Sequence, residues 1–125
     1  MKGDPNSNIL PFAQDAGFYV RRARARVESG AFVAAASLYR RALQMDPSDS
    51  QARLELGVLY SDMGCPGLSN RELCEAIWRG AEDDPQLYYK LACNYVDMHL
   101  YDAALCCFAE MIRCRDEREF EFDRD

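Results

Sequence analysis

Apolar residues recur along this chain every three or four positions in six separate stretches, each closed by a polar, glycine or proline break. That spacing matches one face of a helix, and no stretch alternates with period two long enough to propose a sheet. The pattern predicts helices over 16–29, 32–45, 51–63, 69–82, 85–98 and 101–114. Local signals support the boundaries. Ser48 or Ser50 can cap the third helix, and Ser69-Asn70-Arg71-Glu72 reads as a capping box opening the fourth. Asp84-Pro85 sets a capping carboxylate before a first-turn proline at the fifth.

The six helices pair into a unit that repeats every 34 to 35 residues. Gly30 and Gly64 are 34 apart, as are Ala23 and Gly57, while Gly57 to Ala92 and Tyr60 to Tyr95 are 35. A period of this size marks stacked units that cannot bury their apolar faces alone. Small residues in the first helices (Ala23, Gly57, Ala92) and second helices (Ala35, Ala104) let paired helices approach closely. An aromatic four residues on, Tyr39 or Phe108, lies on the same face and fills the space between repeats. Gly30 and Gly64 stand where a first helix ends, and Pro47 follows a second helix.

Leu56-Gly57-Val58-Leu59-Tyr60, with the Ala35, Tyr39, Ala42, Pro47 set before it and the Tyr88, Leu91, Tyr95, Ala104, Phe108 set after it, resembles the tetratricopeptide repeat family. The resemblance covers residues 16–115. It departs at Arg22 and Arg26, where the family has an apolar residue and an aromatic, and at His99, which replaces the turn glycine. The second half of the middle repeat fits worst, and Cys65-Pro66-Gly67-Leu68 reads as a stretched turn. The implied fold is all-α: a right-handed superhelical stack of three helix-turn-helix repeats over 16–49, 50–84 and 85–115. Residues 1–15 read as an extended leader carrying Ile9-Leu10-Pro11-Phe12. Residues 116–125 read as a frayed acidic tail holding Phe120 and Phe122.

Charge and composition narrow the partner. At 125 residues with net charge −6, the chain is one domain whose field opposes nucleic acid and anionic membranes. The arginines at 21, 22, 24 and 26 read as the solvated face of the first helix. No charged-then-apolar leader and no membrane-length apolar run occurs, which points to a cytoplasmic protein. Six cysteines are present, but only adjacent Cys106-Cys107 are close, and they point to different sides of a helix. The expectation is free thiols acting as small apolar residues, no metal, no disulfide and no cofactor, with Cys65 the most reactive. His99 has no nucleophile beside it, and no phosphate loop or catalytic constellation is evident, so the chain is not expected to be an enzyme.

The resemblance implies that the first helices line a concave face. Removing the packing positions leaves Val20, Arg21, Arg24 and Val27 on the first helix, then Gln51, Leu54, Glu55 and Val58 on the third. Gln86, Tyr89, Lys90 and Cys93 complete the set on the fifth. An apolar strip edged by mixed charge suits a peptide or helix, so the expected role is a protein-interaction scaffold or adaptor. Equally, Leu54 and Tyr89 can pad the core between repeats. Relatives that clamp a chaperone's C-terminal carboxylate use Lys, Asn, Asn, Lys and Arg; here those positions hold Val20, Arg24, Glu55, Gln86 and Lys90. Both asparagines are missing, and Glu55 repels a carboxylate. The alternatives are a segment of a longer solenoid, a subunit self-associating through leader or tail, or a three-repeat secretion-type chaperone.

Overall fold

The computed structural model describes residues 14–124, with side chains described as far as Glu117. Among the described residues it contains six helices and no strand. They are α1 (Ala16–Glu28), α2 (Phe32–Met45), α3 (Ser50–Asp62), α4 (Pro66–Trp78), α5 (Pro85–Asp97) and α6 (Tyr101–Arg124). By contact density the chain divides into two units, Met1–Pro47 and Ser48–Asp125. The first holds the α1–α2 hairpin and the second holds α3 to α6.

The turns inside each repeat share one device. Gly30 and Gly64 adopt φ +82° and +80°, as their spacing predicts. At the first, Ala31 N–H donates to Arg26 O at 2.8 Å and Gly30 N–H to Val27 O at 3.0 Å. At the second, Cys65 N–H reaches Tyr60 O and Gly64 N–H reaches Ser61 O in the same way. This paired geometry satisfies carbonyls that the helix end leaves open, and it requires a left-handed residue. His99 supplies that residue in the third repeat, at φ 62°, with Leu100 N–H donating to Tyr95 O.

Four boundaries differ from the sequence reading. The cap of α3 is Asp49, whose carboxylate accepts from Ala52 N–H at 3.0 Å; neither Ser48 nor Ser50 takes that place. Helix α4 starts at Pro66, not at residue 69, because a proline at the first helical position forfeits no intrahelical bond. The supposed stretched turn is therefore the first turn of α4, and Ser69 lies inside the helix, fully buried. The same helix closes at Trp78 rather than 82, since Gly80 (φ +120°) forms another left-handed cap with Ala81 N–H on Ala76 O. Helix α6 runs past residue 114 to Arg124. The leader strip Ile9–Phe12 and the side chains of Phe120 and Phe122 lie outside the described residues.

The middle repeat also fits better than its sequence suggests. Ser69, Leu73 and Ala76 take the places that Ala35, Tyr39 and Ala42 hold in the first repeat, and all are buried. Leu73 packs with Leu54, Ala76, Leu87 and Leu91 into one core joining α3, α4 and α5. Gly57 is the close-contact point: an added Cβ would stand 2.8 Å from Leu73 Cδ2 and 3.0 Å from Leu73 Cγ. The other two repeats hold alanine there, Ala23 and Ala92, both fully buried.

Candidate functional site

The faces of α1, α3 and α5 are built residue by residue from what packing leaves over. On α1, Val20 is buried, Val27 half-buried, and Arg21 and Arg24 exposed. Two neighbouring arginines lie over aromatic rings: Arg22 is 5.6 Å from the Phe18 centroid and Arg41 is 5.3 Å from that of Tyr19. Such contacts hold cationic heads at the surface of the hairpin while their stems cover its apolar atoms.

Helix α3 contributes less apolar surface than its sequence promises. Leu54 is only 6% exposed and belongs to the core, and Val58 packs against that core from its edge. Leu54 is thus padding between repeats, which spacing alone leaves open. Gln51 remains exposed and donates to the half-buried Glu55 carboxylate at 3.2 Å, an i,i+4 bond that orients both side chains.

Helix α5 keeps the aromatic. Tyr89 is 53% exposed, with its ring edge-on to Phe108 of α6, the centroids 6.4 Å apart. The neighbouring Cys93, on the same face one turn on, raises the Tyr89 hydroxyl above its ordinary value. Lys90 is half-buried beside it, and Gln86 is exposed in the first turn, its N–H bonded to the Asp84 cap. Because α3 and α5 share the Leu54–Leu91 core, the fold holds these two faces on one unit.

Two polar arrangements behind this face escape a reading of the sequence. Asn94 is fully buried, yet each of its amide groups is satisfied. Its Nδ2 donates to Ser69 Oγ and to Asn70 Oδ1, both at 2.8 Å, while Ser61 Oγ donates to its Oδ1 at 2.9 Å. Asn70 in turn donates to Met98 Sδ at 3.6 Å. In sequence Ser69 and Asn70 read as a helix start, which hides this role; an asparagine amid the apolar positions of α5 is the available signal. The second is Arg53, which donates to Glu72 at 3.1 Å across α3 and α4, both side chains nearly buried. Arg53 stands where the flanking repeats hold Tyr19 and Tyr88, so an ion pair replaces an aromatic contact.

The thiols also differ from expectation. Cys65 is half-buried, its Sγ directed at Met63 O, whereas Cys74 and Cys106 are exposed. Cys114 is buried and donates to Glu82 O. Loss of water around the sulfur raises Cys74, Cys107 and Cys114 above the ordinary thiol value. Among the described residues, no three His, Cys, Asp or Glu side chains converge on a point a metal ion could occupy, and no helix is long and apolar enough to cross a membrane.

The structure resembles solved proteins with helical repeats. It superposes on MamA with a TM-score of 0.81 at 19% identity, covering 85% of this chain and 61% of that one. It superposes on the first TPR of Spaghetti (RPAP3), solved bound to the HSP90 peptide SRMEEVD, with a TM-score of 0.75 at 11% identity. That match covers 81% of this chain and 79% of the other. In sequence, the TPR repeat-containing protein YvcD of Bacillus subtilis (strain 168) is 27% identical over 100 residues. This match covers 79% of the chain but only 20% of YvcD, so the chain spans a small part of that relative. The model of the tetratricopeptide repeat matches residues 3–119. With that match spanning nearly its whole length, the chain belongs to the tetratricopeptide repeat family.

Proposed function

We propose that this chain is a protein-interaction scaffold that binds a short peptide or helix on the α3–α5 face, with no chemistry of its own. One observation carries the reading. Tyr89 is a large exposed aromatic that the core does not use, yet Phe108 braces its ring. An aromatic held still at the surface gives up little side-chain entropy on binding, which is why tyrosine anchors so many interfaces. Lys90, Gln86, Gln51 and Glu55 edge it with polar groups that orient a ligand. Separately, on the other unit, Arg21 and Arg24 of α1 are proposed to meet an acidic residue of a partner, because a guanidinium grips a carboxylate with two bonds.

The neighbour solved with an HSP90 peptide supports a peptide partner but not that peptide. A ligand ending in SRMEEVD brings carboxylates, and Glu55 stands on the face that would receive them. We therefore propose an internal apolar segment rather than a free C-terminus.

The test is a pull-down from the source lysate with the intact chain beside Tyr89→Ala and Arg24→Glu, each checked by circular dichroism. The expected result is loss of the specific partner from Tyr89→Ala and weakening with Arg24→Glu, at unchanged helicity and melting temperature. Exposed side chains contribute little to folding, so the two effects separate. Undiminished capture by Tyr89→Ala would move binding off the α3–α5 face, and undiminished capture by Arg24→Glu would remove α1 from the contact.

A further inference from the structure

The contact between α4 and α5 shows how one repeat of this chain receives the next. Asn70 and Leu73 on α4 meet Asn94, Met98, Leu87 and Leu91 on α5, and Ile77 packs against the same cluster. The repeat period carries each side of that contact to another helix. Thirty-five residues on, α6 presents Leu105, Phe108 and Ile112 in the places of Asn70, Leu73 and Ile77. Leu105 is 66% and Ile112 44% exposed. With Tyr101, also exposed, these residues form an apolar stripe at i, i+4, i+7 and i+11 along one face of α6. Going the other way, α1 presents Phe18, Arg22, Ala25 and Ser29 in the places of Leu87, Leu91, Asn94 and Met98, and the last three of these are exposed.

The chain thus exposes both halves of a contact it already makes internally, one half on each unit. Their charges are opposite. Residues 1–47 hold seven basic and four acidic residues, and residues 48–125 hold eight basic and seventeen acidic. Like ends of two copies repel, while unlike ends attract.

We infer that the α6 face of one copy docks on the α1 face of a second copy, head to tail, in the geometry by which α4 receives α5. In that geometry Leu105 lies against the partner copy's first helix at Ser29, as Asn70 lies against Met98. Phe108 lies under the Arg22 stem and guanidinium, a cation–π contact of the kind Arg22 already makes with Phe18. Such a contact is heterologous. It uses two different surfaces, so each added copy leaves one of each kind open. Phe108 also braces Tyr89, so the substitutions that test this contact are placed at Leu105, Ile112, Arg22 and Arg26, none of which is a proposed peptide contact.

Sedimentation velocity of the full chain over a wide concentration series, at low and at high salt, tests this. The expected result is growth beyond a dimer as concentration rises, weakened at least about tenfold by high salt. The pair Leu105→Glu with Ile112→Glu should abolish growth, and so should Arg22→Glu with Arg26→Glu. All four positions are exposed, and circular dichroism confirms the fold; if the acidic pair on α6 loses helicity, Leu105→Gln serves instead. An equimolar mixture of the two broken variants should form a one-to-one dimer and nothing larger, since each supplies the half the other lacks. The inference is overturned by a chain monomeric at every concentration. It is equally overturned by association that survives the α1 substitutions, which would mean α6 pairing with α6, or by a mixture that stays monomeric.

Discussion

Gly57 offers the sharpest test of the fold. Placing a methyl group there brings a carbon to 2.8 Å from Leu73 Cδ2 and 3.0 Å from Cγ, against an optimum of about 3.5–4.0 Å. Leu73 is fully buried among Leu54, Ala76, Leu87 and Leu91, so it has nowhere to swing. Overpacking of this size costs about 1–3 kcal/mol. Against it stands the higher helix propensity of alanine, about 1 kcal/mol. Gly57→Ala should therefore destabilise the chain by about 1 kcal/mol, although the same change in an open helix stabilises. The sign should reverse once the obstacle is removed. Leu73→Ala alone costs about 2–5 kcal/mol through the cavity it leaves, and in that background Gly57→Ala should stabilise by about 1 kcal/mol. The coupling between the two sites is then about 2 kcal/mol, well above the additivity expected of independent positions. Urea titration followed by circular dichroism measures all four corners of the cycle, with trimethylamine N-oxide extending the folded baseline for the weakest variants. If Gly57→Ala stabilises both backgrounds equally, the helices do not meet at this point and the repeat register is wrong. A Gly57→Leu chain that folds cooperatively would show the same.

Other expectations follow from particular contacts. Asn94→Leu strands Ser69, Asn70 and Ser61 without their partner and should cost about 3 kcal/mol, while adding Ser69→Ala and Asn70→Leu should restore much of it, as denaturation curves would show. His99→Gly should raise the melting midpoint, because it relieves a left-handed backbone worth about 1 kcal/mol or more; a lower midpoint would mean that the 2.9 Å contact between His99 Nδ1 and the Tyr101 hydroxyl outweighs the strain. In native thiol labelling followed by mass spectrometry, exposed Cys106 should react first and buried Cys114 last, and first labelling of Cys65 would contradict the structure. Burial keeps Cys107 and Cys114 protonated in the folded chain at a pH where the unfolded chain ionises them, above the ordinary value of 9.0. The folded state then binds more protons, so stability is intact below that value and falls as pH rises from it; a flat stability profile from about pH 9 upward would refute this.

What the sequence discloses, and what it hides, divides by physical cause. Periodicity, small residues at crossings and glycine caps act locally, so six helices and three repeats are readable, including His99 in a glycine's place. The errors arise where one residue type serves two purposes. Ser69 and Asn70 look like a helix cap because short polar side chains usually are one, and nothing nearby in sequence discloses that Asn94 awaits them 24 residues on. Pro66 looks like a break, although a first-turn proline opens a helix as readily as it ends one. Leu54 and Tyr89 carry the same helical pattern to opposite fates. Only the depth of the α3–α5 junction decides that leucine goes inside while tyrosine, braced by Phe108, stays out.

The Asn94 network has a further consequence for how the repeats find one another. Apolar ridges tolerate sliding by a turn, since one leucine fits a groove about as well as the next. A buried amide does not, because any other alignment leaves several polar groups dry and unbonded at about 1–3 kcal/mol each. The junction of α4 with α5 is therefore a keyed joint. At the matching places on the outer faces, the key has been filed off: Ala104 and Leu105 replace Ser69 and Asn70, and Ala25 replaces Asn94. A chain assembled from such modules has one kind of joint that admits a single neighbour in a single alignment, and another that grips without asking who is there. Grafting serine and asparagine onto positions 104 and 105, with asparagine at 25, would convert the second kind into the first.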